Sequence, residues 1–78
     1  MFVVTNLDYA EDSVSDVYGP FKTEAEAEAK MRGLALSEFE EVKGEHDDAE
    51  IFDDVPGEVE IVFGENDGCL YQVLEVKQ

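Results

Sequence analysis

The sequence predicts an α+β fold in which one main helix packs on one face of an antiparallel sheet of three or four strands, in the order β-(β)-α-β-β. Two observations lead to this prediction. β-branched and aromatic residues are concentrated near both ends of the chain, where they are typical of strands. A capped segment with apolar residues at helical spacing lies between them. With 78 residues, the chain is expected to form a single compact acidic domain over residues 1–78.

The first part of the chain predicts one strand and is compatible with a second. Residues 1–7 are rich in β-branched and aromatic side chains and predict an opening strand. Residues 8–16 are polar and acidic and predict a connection. A second, short strand is then expected to stop at Gly19 and Pro20, because proline cannot donate to the ladder of a sheet.

The clearest local signal is a helix that begins after Thr23. Its hydroxyl and the Glu26 carboxylate, three residues later, have the spacing of a capping box. A helix is therefore expected from Glu24 to about Leu36, with apolar residues at helical spacing at Ala27, Met31, Leu34 and Ala35.

The end of this helix has two interpretations. Gly33 weakens a longer helix by about 1 kcal/mol relative to alanine, and Ser37 with Glu40 repeats the capping pattern. The helix therefore either ends near Leu36 and restarts, or runs unbroken to Val42 before Gly44.

The last part of the chain predicts a hairpin. Residues 45–57 combine an acidic run with Ile51 and Phe52, and they predict an ordered loop or a short helical turn. Apolar residues alternate with glutamates in the following strand, and residues 64–68 have the composition of a turn. The final strand is predicted over residues 69–76. One of its faces carries Leu70, Gln72, Leu74 and Val76, and the other carries Cys69, Tyr71, Val73 and Glu75.

The net charge of the chain is its most unusual property. There are 21 Asp and Glu against 5 Lys and Arg, which gives a formal charge of -16. Eleven of the carboxylates lie between Glu38 and Glu60, where Lys43 is the one base. Self-repulsion destabilises a compact state with this charge, so the charge serves either solubility or a partner. Membranes and nucleic acids are expected to be repelled as direct ligands, and basic proteins are the favoured partners.

Catalytic, metal and cofactor sites are not expected. His46 lies in an acidic run with no nucleophile indicated nearby, and we interpret it as a solvated loop residue. Cys69, the single cysteine, excludes an internal disulfide and is expected to be a small core residue of a strand. Neither residues 12–16 nor residues 47–50 have the ligand spacing of an EF-hand loop. The N-terminal residues lack both a basic region and a long apolar stretch, so a cytoplasmic protein is expected.

The spacing of the carboxylates suggests a role for the charge. Glu58 and Glu60, two positions apart on a strand, would lie about 6.8 Å apart. Glu24 and Glu28, four positions apart on a helix, would lie roughly 6 Å apart. Both separations are on the scale of neighbouring phosphates along a nucleic-acid strand.

In size, charge and mixed α/β character, the whole chain resembles the small acidic DNA-mimic inhibitors encoded by phages and mobile elements. These include anti-restriction proteins, uracil-DNA glycosylase inhibitors and anti-CRISPR proteins, and the resemblance is one of composition. It implies an inhibitor rather than an enzyme. Such a protein blocks the basic groove of a nucleic-acid-binding enzyme, such as a CRISPR effector, restriction or repair enzyme, and would act in the host-cell cytoplasm if phage-encoded.

The predicted partner-binding residues belong to the helix and to the acidic stretch that follows it: Glu24, Glu28, Glu38, Glu41, Asp47, Asp48, Asp53 and Asp54. Reversal of the last four charges together is expected to abolish inhibition. One alternative is a small salt-adapted acidic domain, although the 13 Glu to 8 Asp and the 4 Lys to 1 Arg disfavour it. Another is an accessory module that docks on a basic partner without nucleic-acid mimicry.

Overall fold

The computed structural model describes residues 1–65 and 67–77, in which one helix packs on one face of a five-stranded antiparallel sheet. The strand order is β2-β1-β5-β4-β3. The predicted α+β class with one helix is confirmed, and the prediction of three or four strands is too low by at least one. The elements are β1 (Phe2–Asp8), β2 (Ser13–Phe21), α1 (Glu24–Glu45), β3 (Glu50–Phe52), β4 (Glu58–Phe63) and β5 (Asp67–Glu75).

The additional strand is β3, which lies where the sequence predicts a loop or a helical turn. It has three residues, and Ile51 pairs with Ile61 of β4. Three residues are too few to show an alternating pattern, so the strand could not be recognised from its own residues. Its pairing with β4 defines it.

Strand β2 is longer than expected, because it begins at Ser13 and continues through Gly19 and Pro20 to Phe21. It lies at the edge of the sheet, and its register with β1 shifts between Phe2 and Val4. An edge strand tolerates proline because only one of its sides needs ladder donors. The predicted stop at Gly19 and Pro20 is therefore wrong.

The helix starts as predicted, and the interpretation of an unbroken helix is correct, although the helix ends three residues beyond Val42. The backbone N–H of Glu26 donates to Thr23 Oγ1 over 3.2 Å, which is the expected cap. The helix then runs unbroken to Glu45, so Ser37 does not restart it. Ala35 and Val42 are both buried, and this packing holds the helix together across the weak region.

Replacement of Gly33 by alanine is expected to stabilise the protein by about 0.5–1 kcal/mol, because alanine costs less backbone entropy in a helix. Gly33 is exposed, and an added Cβ would meet no atom within 4 Å. Urea unfolding of the wild type and of Gly33→Ala measures the difference. An unchanged or lower midpoint would mean that the helix is not intact at this position.

The core lies between the helix and one face of the sheet. Ala27, Met31 and Ala35 of α1 pack against the sheet, and no polar or charged residue among the described residues is buried. The sheet contributes Val4, Val59, Ile61, Cys69 and Tyr71. The face of β5 that carries Cys69 and Tyr71 is thus the inner one, and the opposite face is not covered by the helix.

The hairpin and its cysteine follow the sequence prediction closely. Strand β5 begins at Asp67, two residues earlier than expected, and Asn66 of the predicted turn lies outside the described residues. Cys69 is buried, as expected. Burial, more than the neighbouring carboxylates, raises the pKa of its thiol to about 12, so the thiol stays protonated and unreactive at neutral pH.

Candidate functional site

The connections of the fold divide between two ends of the molecule. The β1–β2, α1–β3 and β4–β5 connections lie at one end, because the sheet is antiparallel and the helix runs along it. We call this the acidic end and define it as residues 8–12, 38–50, 64–65 and 67. The β2–α1 and β3–β4 connections lie at the opposite end.

The charge is distributed unequally between these ends. The acidic end holds twelve carboxylates and one base, Lys43, and so carries eleven of the sixteen net negative charges. The other four bases lie outside it, on or next to elements nearer the opposite end: Lys22, Lys30, Arg32 and Lys77. The carboxylates of the acidic end are Asp8, Glu11, Asp12, Glu38, Glu40, Glu41, Glu45, Asp47, Asp48, Glu50, Glu65 and Asp67.

Short contacts hold the segments of the acidic end together. The Tyr9 N–H donates to the Gly68 carbonyl over 3.0 Å, which ties the β1–β2 turn to β5. The Gly64 N–H donates to Asp48 Oδ2 over 3.0 Å, which ties the β4–β5 turn to the segment after the helix. These contacts give the acidic end a defined shape.

His46 takes part in the same arrangement. It caps the C-terminus of α1, where its N–H donates to the Val42 carbonyl, and its ring centroid lies 4.8 Å from that of Phe63. It is half-buried rather than a solvated loop residue, which corrects the interpretation from sequence. Its role in the fold is to pack the helix end against β4.

Three carboxylates from separate elements line one open cavity of about 230 Å³ at this end. They are Asp8 of β1, Glu38 of α1 and Asp67 of β5. The pKa of Glu38 is raised, first by its burial and then by the charges of Glu41 and Asp8. Burial and the two neighbouring carboxylates both disfavour the charged form of Glu38.

Replacement of Glu38 by glutamine is expected to stabilise the protein at neutral pH. The folded-state pKa of Glu38 lies above its unfolded value, so the ionised carboxylate lowers the stability of the fold at neutral pH. As the pH falls through the folded-state pKa, protonation removes this loss of stability. The difference between Glu38→Gln and wild type should therefore narrow from about pH 7 towards pH 5. Urea unfolding at several pH values measures it. The exposed control Glu40→Gln should show a smaller gain, and equal gains would contradict the assignment to Glu38.

Bases neutralise little of this surface. Among the side chains of residues 1–65 and 67–77, one ion pair forms, between Arg32 and Asp53 at 3.7 Å, and both side chains are at least half exposed. Such a pair contributes little to stability. The Nζ atom of Lys43 lies 5.4 Å from the ring centroid of Phe39. In the described part of the chain, no carboxylate of the acidic end is thus paired with a Lys or Arg side chain.

The carboxylates of the acidic end are not clustered as they would be around a metal ion. Within the described part of the chain, no group of three or more His, Cys, Asp or Glu side chains is placed to hold a metal ion. The carboxylates are spread over a surface and project a negative field, which is suited to a broad basic surface.

The structure brings together four of the eight predicted partner-binding residues. Glu38, Glu41, Asp47 and Asp48 belong to the acidic end. Asp53 and Asp54 follow β3 on the way to the opposite end, and Glu24 and Glu28 lie in the first half of α1. The two aspartate pairs therefore flank β3 at its two ends and do not form one cluster.

The sequence alone missed the part of the acidic end that comes from the strands. Glu11 and Asp12 belong to the β1–β2 turn, which follows Asp8 at the end of β1. Glu65 belongs to the β4–β5 turn, which precedes Asp67 at the start of β5. Both turns are acidic in the sequence, and this is the signal that could have drawn attention to them. Their placement beside the end of the helix depends on the strand order, in which β5 lies next to β1.

Comparison of the chain with protein-family models, curated proteins and solved structures gives no match. Among the described residues, no helix combines the length and the apolar character needed to cross a membrane.

Proposed function

We propose that this protein is an acidic inhibitor whose acidic end occupies the basic nucleic-acid-binding groove of an enzyme and mimics the phosphates of the nucleic acid. The observation that carries the proposal is the partition of charge. Eleven of sixteen net negative charges lie at one end of the fold, on segments that are distant in sequence. The candidate targets are CRISPR effectors, restriction enzymes and repair enzymes.

The chemistry of the acidic end supports this function. A groove that binds nucleic acid presents Lys and Arg side chains to a row of phosphates, and binding releases counterions. The acidic end presents carboxylates on segments that hydrogen bonds hold together. Part of the entropic cost of ordering these segments is therefore met before binding. Its field also steers a basic partner towards it during encounter.

The partition also favours a directed role over a uniform coat of charge. A salt-adapted surface needs acid distributed over all of the solvent-exposed area. Here four of the five bases lie away from the end with the most acid. A separated charge distribution produces a direction of approach for a partner, which a coat does not require.

The experiment that tests this function is a pull-down with the protein as bait, repeated in the presence of added duplex DNA and of RNA. The expected result is capture of a nucleic-acid-binding enzyme in 1:1 stoichiometry, with binding weakened by salt and by one of the two nucleic acids. If neither DNA nor RNA reduced the capture, nucleic-acid mimicry would be contradicted. The protein would then be a module that docks on a basic partner.

A further inference from the structure

The face of the sheet opposite the helix carries an apolar strip that no element of the described chain covers. Val3 and Leu7 of β1 lie on this face, because Val4 points into the core and side chains alternate between the two faces along a strand. Leu74 pairs with Val3, and Leu70 and Val14 pair with Leu7. We define the apolar strip as Val3, Leu7, Val14, Val17, Leu70 and Leu74.

The side chains of this strip remain open to solvent. Val17 is 63% exposed and Leu74 is 44% exposed, while Val3, Leu7 and Leu70 are half-buried by their neighbours in the sheet. On β1 and β5 the strip is interrupted by the pair Thr5 and Gln72, which lies on the same face. Exposed apolar side chains grouped on one face of a sheet are a common mark of a surface that binds another molecule. The strip follows three adjacent strands, β2, β1 and β5.

Carboxylates border the strip on one side. Glu58 and Glu60 of β4 point to the same face as Leu70, since Glu60 pairs with Leu70 and Glu58 pairs with Gln72. Glu58 Oε1 accepts a hydrogen bond from Gln72 Nε2 over 3.1 Å, and Glu60 accepts one from the Tyr9 hydroxyl. Both carboxylates are therefore oriented by neutral donors.

The border continues into an open groove of about 190 Å³ that is partly aromatic. Tyr9, Phe52, Asp54 and Leu70 line it together with the two glutamates. Burial, followed by the hydrogen bond with Glu60, raises the pKa of Tyr9 to about 12, so its hydroxyl remains a donor at neutral pH. Carboxylates beside aromatic rings form a favourable environment for a Lys or Arg side chain.

From these features we infer that the open face of the sheet binds a basic amphipathic helix of a partner protein. Three strands span about 10 Å between the outer two, which is close to the 10–12 Å diameter of a helix. Such a helix would lay its apolar stripe on the strip and direct Lys or Arg side chains towards Glu58 and Glu60. This inference concerns a second surface and does not depend on the function of the acidic end.

Charge selects this occupant over the other candidates. A second copy would bring the same rows of carboxylates and a further net charge of -16. Anionic lipid and nucleic acid would be repelled as well. A basic helix is the partner for which both the apolar strip and its border are favourable.

The test uses a synthetic amphipathic peptide with one leucine stripe and lysines elsewhere, about 18 residues or roughly 27 Å long as a helix. A peptide of the same composition in scrambled order is the control. Fluorescence anisotropy at about 0.15 M salt, where the Debye length is about 8 Å, gives both affinities. The amphipathic peptide should bind at least about 10-fold more tightly, because only it matches the apolar strip. Equal affinities of the two peptides would overturn the inference and would show that binding is non-specific charge attraction.

Matched variants locate the binding. Leu74→Ser should lower the affinity for the amphipathic peptide by about 5-fold or more. Leu36→Ser, which alters a 55% exposed leucine on the helix, should change this affinity by less than about 2-fold. Thermal unfolding establishes that both variants fold. Sedimentation of the protein alone should show a monomer. A dimer that Leu74→Ser dissociates, or equal effects of the two variants, would overturn the inference.

A second pair of variants tests the carboxylate border. The double variant Glu58→Gln with Glu60→Gln should lower the affinity for the amphipathic peptide by about 3-fold or more, since charge-assisted hydrogen bonds are stronger than neutral ones. Glu28→Gln with Glu75→Gln removes the same charge away from this face and should have a smaller effect. Equal effects would mean that net charge, and not the border, attracts the peptide.

Discussion

Reversal of three carboxylates at the acidic end is expected to weaken binding to the captured partner by about 100-fold or more. The substitutions are Glu11→Lys, Glu41→Lys and Asp47→Lys, all at exposed positions. Each reversal changes the charge by two, so more than half of the net charge of this end is lost. Single substitutions should have mild effects, because one rim charge mainly alters the association rate. Isothermal titration with the captured partner measures the affinity.

The matched control reverses three carboxylates outside the acidic end. Glu28→Lys, Asp54→Lys and Glu75→Lys produce the same total charge as the first triple variant, namely -10 from the original -16. The control should lose less than about 3-fold in affinity at about 0.15 M salt, because screening limits the reach of distant charges. Equal losses in the two triple variants would show that total charge matters and that the acidic end has no special role.

These variants also treat separately two aspartate pairs, one on each side of β3, that the sequence analysis grouped in one quadruple variant. The simultaneous reversal of Asp47, Asp48, Asp53 and Asp54 mixes the two ends of β3. Asp48 in addition accepts the Gly64 N–H, so its loss would disturb the β4–β5 turn. Asp47 alone is therefore the better probe of binding.

The second large effect is expected at Gly68, where replacement by alanine should destabilise the protein by about 3 kcal/mol or more. The φ angle of Gly68 is 145°, and an added Cβ would lie 2.2 Å from the Ile61 carbonyl oxygen. This oxygen belongs to the neighbouring strand β4, so relief requires a shift of β4 against β5. A domain of this size has a total stability of roughly 4–12 kcal/mol, and the variant should be largely or partly unfolded. Circular dichroism and urea unfolding measure the effect.

Gly64 provides a control in the same hairpin. Its φ is 61°, but no atom lies within 4 Å of an added Cβ. Gly64→Ala should therefore cost only about 1–2 kcal/mol, the strain of a left-handed conformation. If Gly68→Ala were as stable as Gly64→Ala, the close approach of β4 and β5 at Gly68 would be incorrect.

Local signals were sufficient for several elements. Thr23 and Glu26 predict the start of the helix because capping involves residues only three positions apart. The two faces of β5 follow from the alternation of its side chains, and Tyr71 and Cys69 are buried together on one of them. In these cases the interacting residues are close neighbours in the chain.

Other elements depended on contacts between distant residues. Strand β3 exists because Ile51 pairs with Ile61. The helix passes Gly33 and Ser37 because Ala35 packs in the core and Val42 is also buried. Strand β2 continues through Pro20 because it lies at an edge. Packing and pairing override weak local preferences, and they are not visible in a short window of sequence.

By itself, the sequence determined the α+β class, the start of the helix, the C-terminal hairpin and the size of the negative charge. Only the tertiary structure decided where that charge lies. Four of the eight residues predicted to bind a partner share the acidic end with the acidic turns of β1–β2 and β4–β5. The physical reason is that strand order sets which turns meet at one end of an antiparallel sheet, and this order arises from pairing between residues that are far apart in the chain.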